Sequence, residues 1–384
     1  MKLYSGYKYL SAILGRMARA KDDRFTGVGV VLYDALEQLE IAPLRCEISP
    51  VSGIDNIVSL LLKFSAADSK FHDGFHLVSS AGELTHASQY FFPPIKRYLT
   101  TMYEYGTRYR AAQYGSCLSG VLACGIMTNH YGPVIFIRGV SHEISDSFLA
   151  ASNGWDDIYT KRTILYNCLS QAQDCHDSVW SKLSSKVCYG RKVIEVGPGT
   201  GKYTLRLSKL VKELTALEKN SSMCNWLNTV LELGGLANVQ ANLSDALMYT
   251  LEDDCDIFSF WALSNPWDND YGPMDDFLCR LRSLKNVRVF LVTSAPGIVG
   301  MNQSLEILGR KRVEQHRQKK EYFLRKLIDG GFEKQEIDTV WGFDSYEDAL
   351  EVFPIFFGDE FREYIASTKE RTFFARGVLL TYQP

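Results

Sequence analysis

The segment Val193-Ile194-Glu195-Val196-Gly197-Pro198-Gly199-Thr200-Gly201 has the residue types and spacing most able to do chemistry. An apolar strand candidate runs into a turn with glycine at alternate positions, and a helix is expected from Lys202. Glycine is needed where the backbone takes positive φ or where a ligand packs directly on the main chain, so the loop reads as a ligand cradle. The pyrophosphate-binding spacing GxGxxG does not fit, because the third glycine comes one residue early. The pattern GxxxxGK[ST] fails twice: Val196 stands at its first glycine and Tyr203 at its Ser/Thr. Glu218 ends the next strand candidate, 214–218, where a carboxylate can accept hydrogen bonds from both hydroxyls of a ribose.

Taken in order, these segments resemble the class I S-adenosylmethionine-dependent methyltransferases. Glu195-x-Gly197-x-Gly199-x-Gly201 is similar to that family's cofactor loop, and residues 238–246 to its third strand. The resemblance covers about residues 155–384, including the tail Trp341-Gly342-Phe343-Asp344-Ser345 and the closing stretch 371–382. It implies a Rossmann-like α/β domain, with a mostly parallel sheet covered by helices on both faces. It also implies S-adenosylmethionine as cofactor, touched by Glu195, Gly197, Gly199, Gly201 and Glu218. Asp245 would meet the adenine amino group with Ser244 beside it, and Phe258, with Trp261, would face the ligand from the fourth strand.

Methyl transfer from a sulfonium is an in-line displacement, in which alignment and water exclusion can supply about 7–11 kcal/mol. A general base is required only for a weakly nucleophilic acceptor, and no residue stands out as one. His316 lies in a basic stretch (Arg310, Lys311, Arg312, Arg317, Lys319, Lys320) interleaved with Glu314 and Glu321, which reads as a solvent-facing helix. The loop also resembles that of ribosomal-RNA adenine dimethyltransferases. That family follows its fourth strand at once with Asn-(Leu/Ile)-Pro-(Tyr/Phe), whereas here Ser264-Asn265-Pro266-Trp267 comes later and lacks the intervening residue. The formal charge is −3, so no overall basic field attracts a nucleic acid, and a small-molecule or nucleotide-like acceptor is expected ahead of one.

A second set of residues lies upstream. Asp73-Gly74 precedes a strand candidate, and Thr107, Arg108 and Arg110 follow Gly106; two arginines flanking one residue offer forked donors for phosphate oxygens. With Leu62-Lys63-Phe64-Ser65 and Leu84-Thr85-His86-Ala87, these resemble diadenylate cyclase domains. The resemblance implies a smaller α/β domain that binds an adenine nucleotide or cyclic dinucleotide through Asp73, Gly74, Thr107, Arg108 and Arg110. Phe75 replaces that family's small alanine and is expected to crowd the pocket, and Tyr109 replaces its histidine. The segment Thr128-Asn129-His130-Tyr131-Gly132 has none of the acidic residues the family carries there. Losing carboxylates at a site for a metal-bound triphosphate argues against turnover and for a sensor. An active cyclase is the alternative; because cyclisation in that family takes two domains face to face, it would need a homodimer.

The elements that position these residues divide the chain near residue 150. Upstream, strands are expected at 27–33, 75–78, 120–127 and 134–140, with helices at 34–39 and around Ile57–Leu62. Downstream, a long helical pattern at 155–186 precedes alternating strands and helices, the pattern of a parallel sheet. The length of 384 residues fits two or three domains, and 46% hydrophobic with 23% charged residues excludes a disordered chain. No apolar run is long enough to span a bilayer, and the first residues lack a signal-peptide core. Nine scattered cysteines without a CxxC pair read as reduced thiols of a cytoplasmic protein, with no metal site.

Overall fold

The computed structural model describes residues 2–99, 105–129, 131–144, 146–149, 154–187, 189–262, 272–297, 301 and 303–383. The chain forms two compact units, one of residues 1–150, 154–165 and 228–234, the other of residues 151–153, 166–227 and 235–384.

The first unit opens with α1 (Lys2–Ala20), whose Tyr4, Tyr7, Leu10, Leu14 and Met17 recur at helical spacing and are buried. The remaining elements are β1 (Gly27–Tyr33), β2 (Ile41–Pro43), β3 (Val51–Ser52), α2 (Ile54–Phe64), β4 (Phe75–Ser79), β5 (Glu83–Phe91), α3 (Thr107–Gly115), β6 (Val121–Thr128), β7 (Val134–Ile137), β8 (Val140–Glu143) and α4 (Trp155–Lys161). The sheet order is β2-β5-β4-β1-β6-β7-β8, with β3 also on β5. Only β1 and β4 pair in parallel, so this sheet is mixed and largely antiparallel. β1 is buried at every position, as a central strand of a sheet covered on both faces must be.

In the second unit the expected long helix at 155–186 is interrupted. After α4 come α5 (Thr163–Ala172) and α6 (Ser178–Ser184), separated by a turn in which Asp174 and Asp177 take positive φ. Buried Asp174 accepts from the Val179 and Trp180 backbone N–H groups and from the Thr339 hydroxyl, so it both caps α6 and ties it down.

The sheet of this unit is built from β9 (Lys192–Val196), β10 (Glu213–Glu218), β11 (Val239–Leu243), β12 (Cys255–Phe260), β13 (Arg288–Ser294), β14 (Glu333–Gly342) and β15 (Thr372–Tyr382), in the order β11-β10-β9-β12-β13-β15-β14. The first five are parallel and β15 runs antiparallel to both neighbours. Its helices include α7 (Thr204–Leu207), α8 (Ser221–Leu233), α9 (Gly272–Ser283), α10 (Ser304–Leu308), α11 (Arg310–Asp329), α12 (Tyr346–Phe357) and α13 (Asp359–Thr368). Apolar layers cover both faces: Ile257, Phe277, Leu291 and Leu327 on one, Val193, Leu207, Phe258 and Phe290 on the other. The Rossmann-like α/β architecture expected for this half is the one observed. At the amino end of β12, buried Asp256 is clamped by Arg191 (Nε 2.7 Å) and Arg288 (Nε 2.8 Å). Among the described residues no helix is long and apolar enough to cross a membrane.

Candidate functional site

The strand order reverses at β9, whose neighbours are β10 on one side and β12 on the other. In open α/β sheets ligands bind outside the carboxyl ends of the strands at such a point. The glycine loop leaves β9 there, with Gly197, Gly199 and Gly201 at φ of 65°, 57° and 91°. A Cβ on Gly199 would stand 2.9 Å from the Tyr166 ring, one on Gly201 2.7 Å from Leu227, and one on Gly197 2.2 Å from the Ala262 methyl. Positions 197 and 199 therefore require glycine for backbone angle and for space, and position 201 requires it for its angle.

Glu218, at the end of β10, is buried and knits the loop to its neighbours. Its Oε2 accepts from the Gly199 N–H at 3.0 Å and its Oε1 from the Asn220 N–H at 2.9 Å. Its backbone carbonyl accepts from the Ser244 N–H at 2.9 Å. Gly199, Glu218 and Ser244 are thus held in one hydrogen-bonded chain. Each carboxylate oxygen keeps further acceptor capacity, so the backbone bonds orient Glu218 without using it up. Burial raises the Glu218 carboxyl above the ordinary range, opposed by these N–H donors. Asp245 is exposed, and its Oδ1 accepts from the Leu247 N–H at 2.9 Å in an Asx turn.

Glu195 in β9 is 1% exposed, and burial pushes its carboxyl up to about 8; the Thr204 hydroxyl opposes the rise and the Glu218 charge adds to it. The Thr200 hydroxyl of the loop is buried without a hydrogen-bond partner, and the Glu195 carboxyl has at most the Thr204 hydroxyl to satisfy it. Under-satisfied polar groups in and beneath a glycine loop are the signature of a place meant for a polar ligand. The set fits an S-adenosyl amino acid: hydroxyls and a carboxyl group for the amino-acid end, Glu218 for the ribose, and Asp245 for an exocyclic amine.

Phe258 does not belong to this set. It is 0% exposed in the middle of β12, stacked on Phe290 at a centroid distance of 4.7 Å, and faces the apolar layer rather than a ligand. Trp261 does stand at the strand end, half-buried with φ of 66°, a conformation a non-glycine residue holds only where its surroundings enforce it. The segment Ser264-Asn265-Pro266-Trp267 lies outside the described residues.

Two residues of the site had no sequence signal. Tyr166 of α5 lies against Gly199; its pattern is that of any helical residue. Lys202 is buried, and its Nζ donates to the carbonyls of Ser170 (3.1 Å), Gln171 (3.3 Å) and Gln173, capping the carboxyl end of α5. Replacing Lys202 with methionine should destabilise this unit by about 2–3 kcal/mol, the worth of charge-assisted bonds to buried carbonyls. A urea midpoint equal to that of the wild type would contradict the capping role.

The upstream residues are partly brought together. Asp73 is within 3.4 Å of the His72 imidazole and 3.6 Å of the Arg45 guanidinium. Arg108 reaches back from α3 to donate to the His72 carbonyl at 3.2 Å, and burial lowers its guanidinium pKa while the Tyr131 and Asp73 charges oppose that. Gly74 has φ of 77°, and a Cβ there would lie 2.4 Å from the Gln89 carbonyl oxygen. Thr107 is the exposed first residue of α3, and Arg110 is half-buried one turn on. The crowding expected of Phe75 is absorbed inside the core: its ring is buried, packs edge-to-face on Phe91 and lies over Gly29, where a Cβ would be 2.7 Å away. Tyr109 stacks on Tyr105 at 4.1 Å and sets its ring edge-on to Tyr131. His130 lies outside the described residues.

Comparison with known proteins finds likenesses for the downstream half. A family model described as ribosomal RNA adenine dimethylase matches residues 176–260. Among curated proteins none matches. Similar solved structures include the YcgJ protein of Bacillus subtilis (15% identity, 54% of this chain and 98% of that one, TM-score 0.39). Others are an S-adenosylmethionine-dependent methyltransferase of Aquifex aeolicus (17%, 52% and 88%, TM-score 0.31) and phosphoethanolamine N-methyltransferase 2 of Haemonchus contortus, complexed with phosphomonomethylethanolamine and S-adenosylhomocysteine (11%, 53% and 52%, TM-score 0.35). The C-terminal region resembles class I S-adenosylmethionine-dependent methyltransferases, and the family match lies wholly downstream of residue 150.

Proposed function

We propose that this chain transfers the methyl group of S-adenosylmethionine to a small-molecule or nucleotide-like acceptor, with residues 1–150 serving as a nucleotide-sensing domain. The observation that carries the first part is the chain Gly199–Glu218–Ser244 against a loop of three left-handed glycines, with the buried Glu195 carboxyl and the unpartnered Thr200 hydroxyl in the same strand and loop. Residues 151–384 form the proposed transferase domain. Calorimetry with S-adenosylmethionine tests it directly, with Gly199 and Glu218 variants as controls.

A second reading, methylation of an RNA adenine, is favoured by the family match over residues 176–260. Against it stands Trp261, which occupies the position directly after β12 where that family presents an asparagine amide. Transfer of label from the methyl group to bulk RNA, absent with small acceptors, would establish the second reading in place of the first.

The sensor reading rests on Arg108 and Asp73 being drawn together beside Arg45 and His72 at the start of α3. An adenine nucleotide or cyclic dinucleotide should raise the melting temperature of the wild type, and the shift should vanish in Arg108→Ala. No shift with ATP, ADP or cyclic di-AMP would remove the assignment. A cyclic product on incubation with ATP and manganese would make the domain a cyclase instead of a sensor.

A further inference from the structure

The glycine loop is covered from one side by a residue that the reading above does not use. Tyr166 of α5 lays its phenol on Gly199: a Cβ there would meet the ring edge and the hydroxyl oxygen at 2.9 Å each, and Cζ at 3.3 Å. An aromatic side chain thus rests on bare main chain at the point where such a loop receives its ligand. Beneath it the site is closed. Gly199, Thr200 and Gly201 are buried, and Glu218 and Glu195 are 6% and 1% exposed. Burial, then the Glu218 and Glu195 charges, push the Tyr166 hydroxyl above its ordinary value, which sets the phenol in the field of both carboxyls. A ribose that is to use the spare acceptor positions of Glu218 must therefore displace what covers them.

We propose that Tyr166 is a gate on the donor site: its ring swings off Gly199 to let an adenosyl ligand in or out, and swings back to close the site. The proposal rests on the methyltransferase reading above and names the element that controls exchange of donor for product.

The moving part is the side chain and not the helix. α5 is held along one face by Ile164 and Leu165 at 0% exposed, Cys168 at 2% and Leu169 at 4%. At its carboxyl end Lys202, which follows the loop, ties down the Ser170 and Gln171 carbonyls. Lifting α5 would bring that apolar face into water and break those bonds. Tyr166 stands instead on the half-buried flank, with Asn167 and Ser170. A helical tyrosine has two common χ1 wells, near 180° and about −60°, and passing between them leaves the backbone where it is. Closure also serves the reaction. A sulfonium donor has to be kept from water while its methyl group is aligned, and donor and product must still exchange once per turnover.

The full chain is tested with S-adenosylhomocysteine, which has no methyl group to give, by surface plasmon resonance. In Tyr166→Ala the association and dissociation rate constants should both rise roughly tenfold or more, while their ratio changes less than about threefold, because a barrier has been removed from both directions. Tyr166→Leu takes its place if Tyr166→Ala does not fold. Tyr166→Phe keeps the ring and should exchange as the wild type does. A change confined to one of the two rates marks an ordinary contact and overturns the gate, as do unchanged rates or a Tyr166→Phe variant as fast as Tyr166→Ala. In the chain labelled with 3-fluorotyrosine, the fluorine resonance missing from Tyr166→Phe should shift when S-adenosylhomocysteine is added; a resonance that stays in place also overturns the gate. Failure of the wild type to bind S-adenosylhomocysteine removes the donor-site reading and the gate together. Binding at equal rates by wild type and variants removes the gate and leaves that reading intact.

Discussion

Replacing Gly199 with arginine should abolish S-adenosylmethionine binding, leaving no calorimetric heat at cofactor concentrations that saturate the wild type. Gly199 sits at φ of 57°, a conformation that costs an L residue roughly 1–2 kcal/mol. The added Cβ would also meet the Tyr166 ring at 2.9 Å, and the longer side chain would fill the cradle itself. Glu218→Ala acts from the other side of the same bond. It strips the acceptor from the Gly199 and Asn220 N–H groups and from any ribose, and each buried donor left unpaired costs about 1–3 kcal/mol. Affinity should fall at least 100-fold. Full affinity in both variants would remove the cofactor assignment.

The second large effect is on stability against pH. Glu195 titrates at about 8 in the folded chain against an ordinary 4.5, so the fold holds a proton that the unfolded chain has released across that interval. Its contribution is complete below about 4.5 and is lost as pH rises toward 8, at up to about 1.4 kcal/mol per pH unit. Glu195→Gln keeps the shape and removes the titration. Unfolding free energy of the variant relative to the wild type should therefore climb steadily between pH 5 and 8 and level off above. His76, His142 and His316, with folded values of about 3, 4 and 4, tilt the wild-type curve the opposite way below 6.5, which is why the difference between the two proteins is the quantity to measure. A difference that stays flat across the interval would show that Glu195 is ionised in the folded protein. Because saturating S-adenosylmethionine would give the Glu195 carboxyl a further partner, it should also reduce the slope.

How much of this was legible in advance differs from element to element. The strands at 192–196 and 214–218 and the loop between them were readable because buried parallel strands are apolar throughout and the loop needs glycine for its own angles. β14 gave no pattern: Glu333–Gln335 and Glu336 lie exposed at the sheet edge, so its first half shows no alternation at all. α1 is amphipathic, with Tyr4, Tyr7, Leu10, Leu14 and Met17 buried at helical spacing, so its signal lies in the period of its apolar residues and not in any motif. The helix expected at 155–186 breaks where Asp174 and Asp177 find backbone partners in a turn, a competition that helical spacing cannot register.

By itself the sequence determined the chemistry the loop permits, since three alternate glycines and a strand-end carboxylate are local requirements that no distant contact can supply. Near 73 and 108 it supplied only the residue types; the fold brings Asp73 beside Arg45 and His72. Only the tertiary structure decided which face each side chain takes. Phe258 turned into the core because it stacks on Phe290 from a neighbouring strand, and Phe75 did so because Gly29 makes room for its ring. Lys320 turned inward from a helix whose composition is that of a solvated surface, because a hydroxyl one strand away was placed to receive it. Burial depends on what other segments bring to the same place, and that is written in no single stretch of the chain.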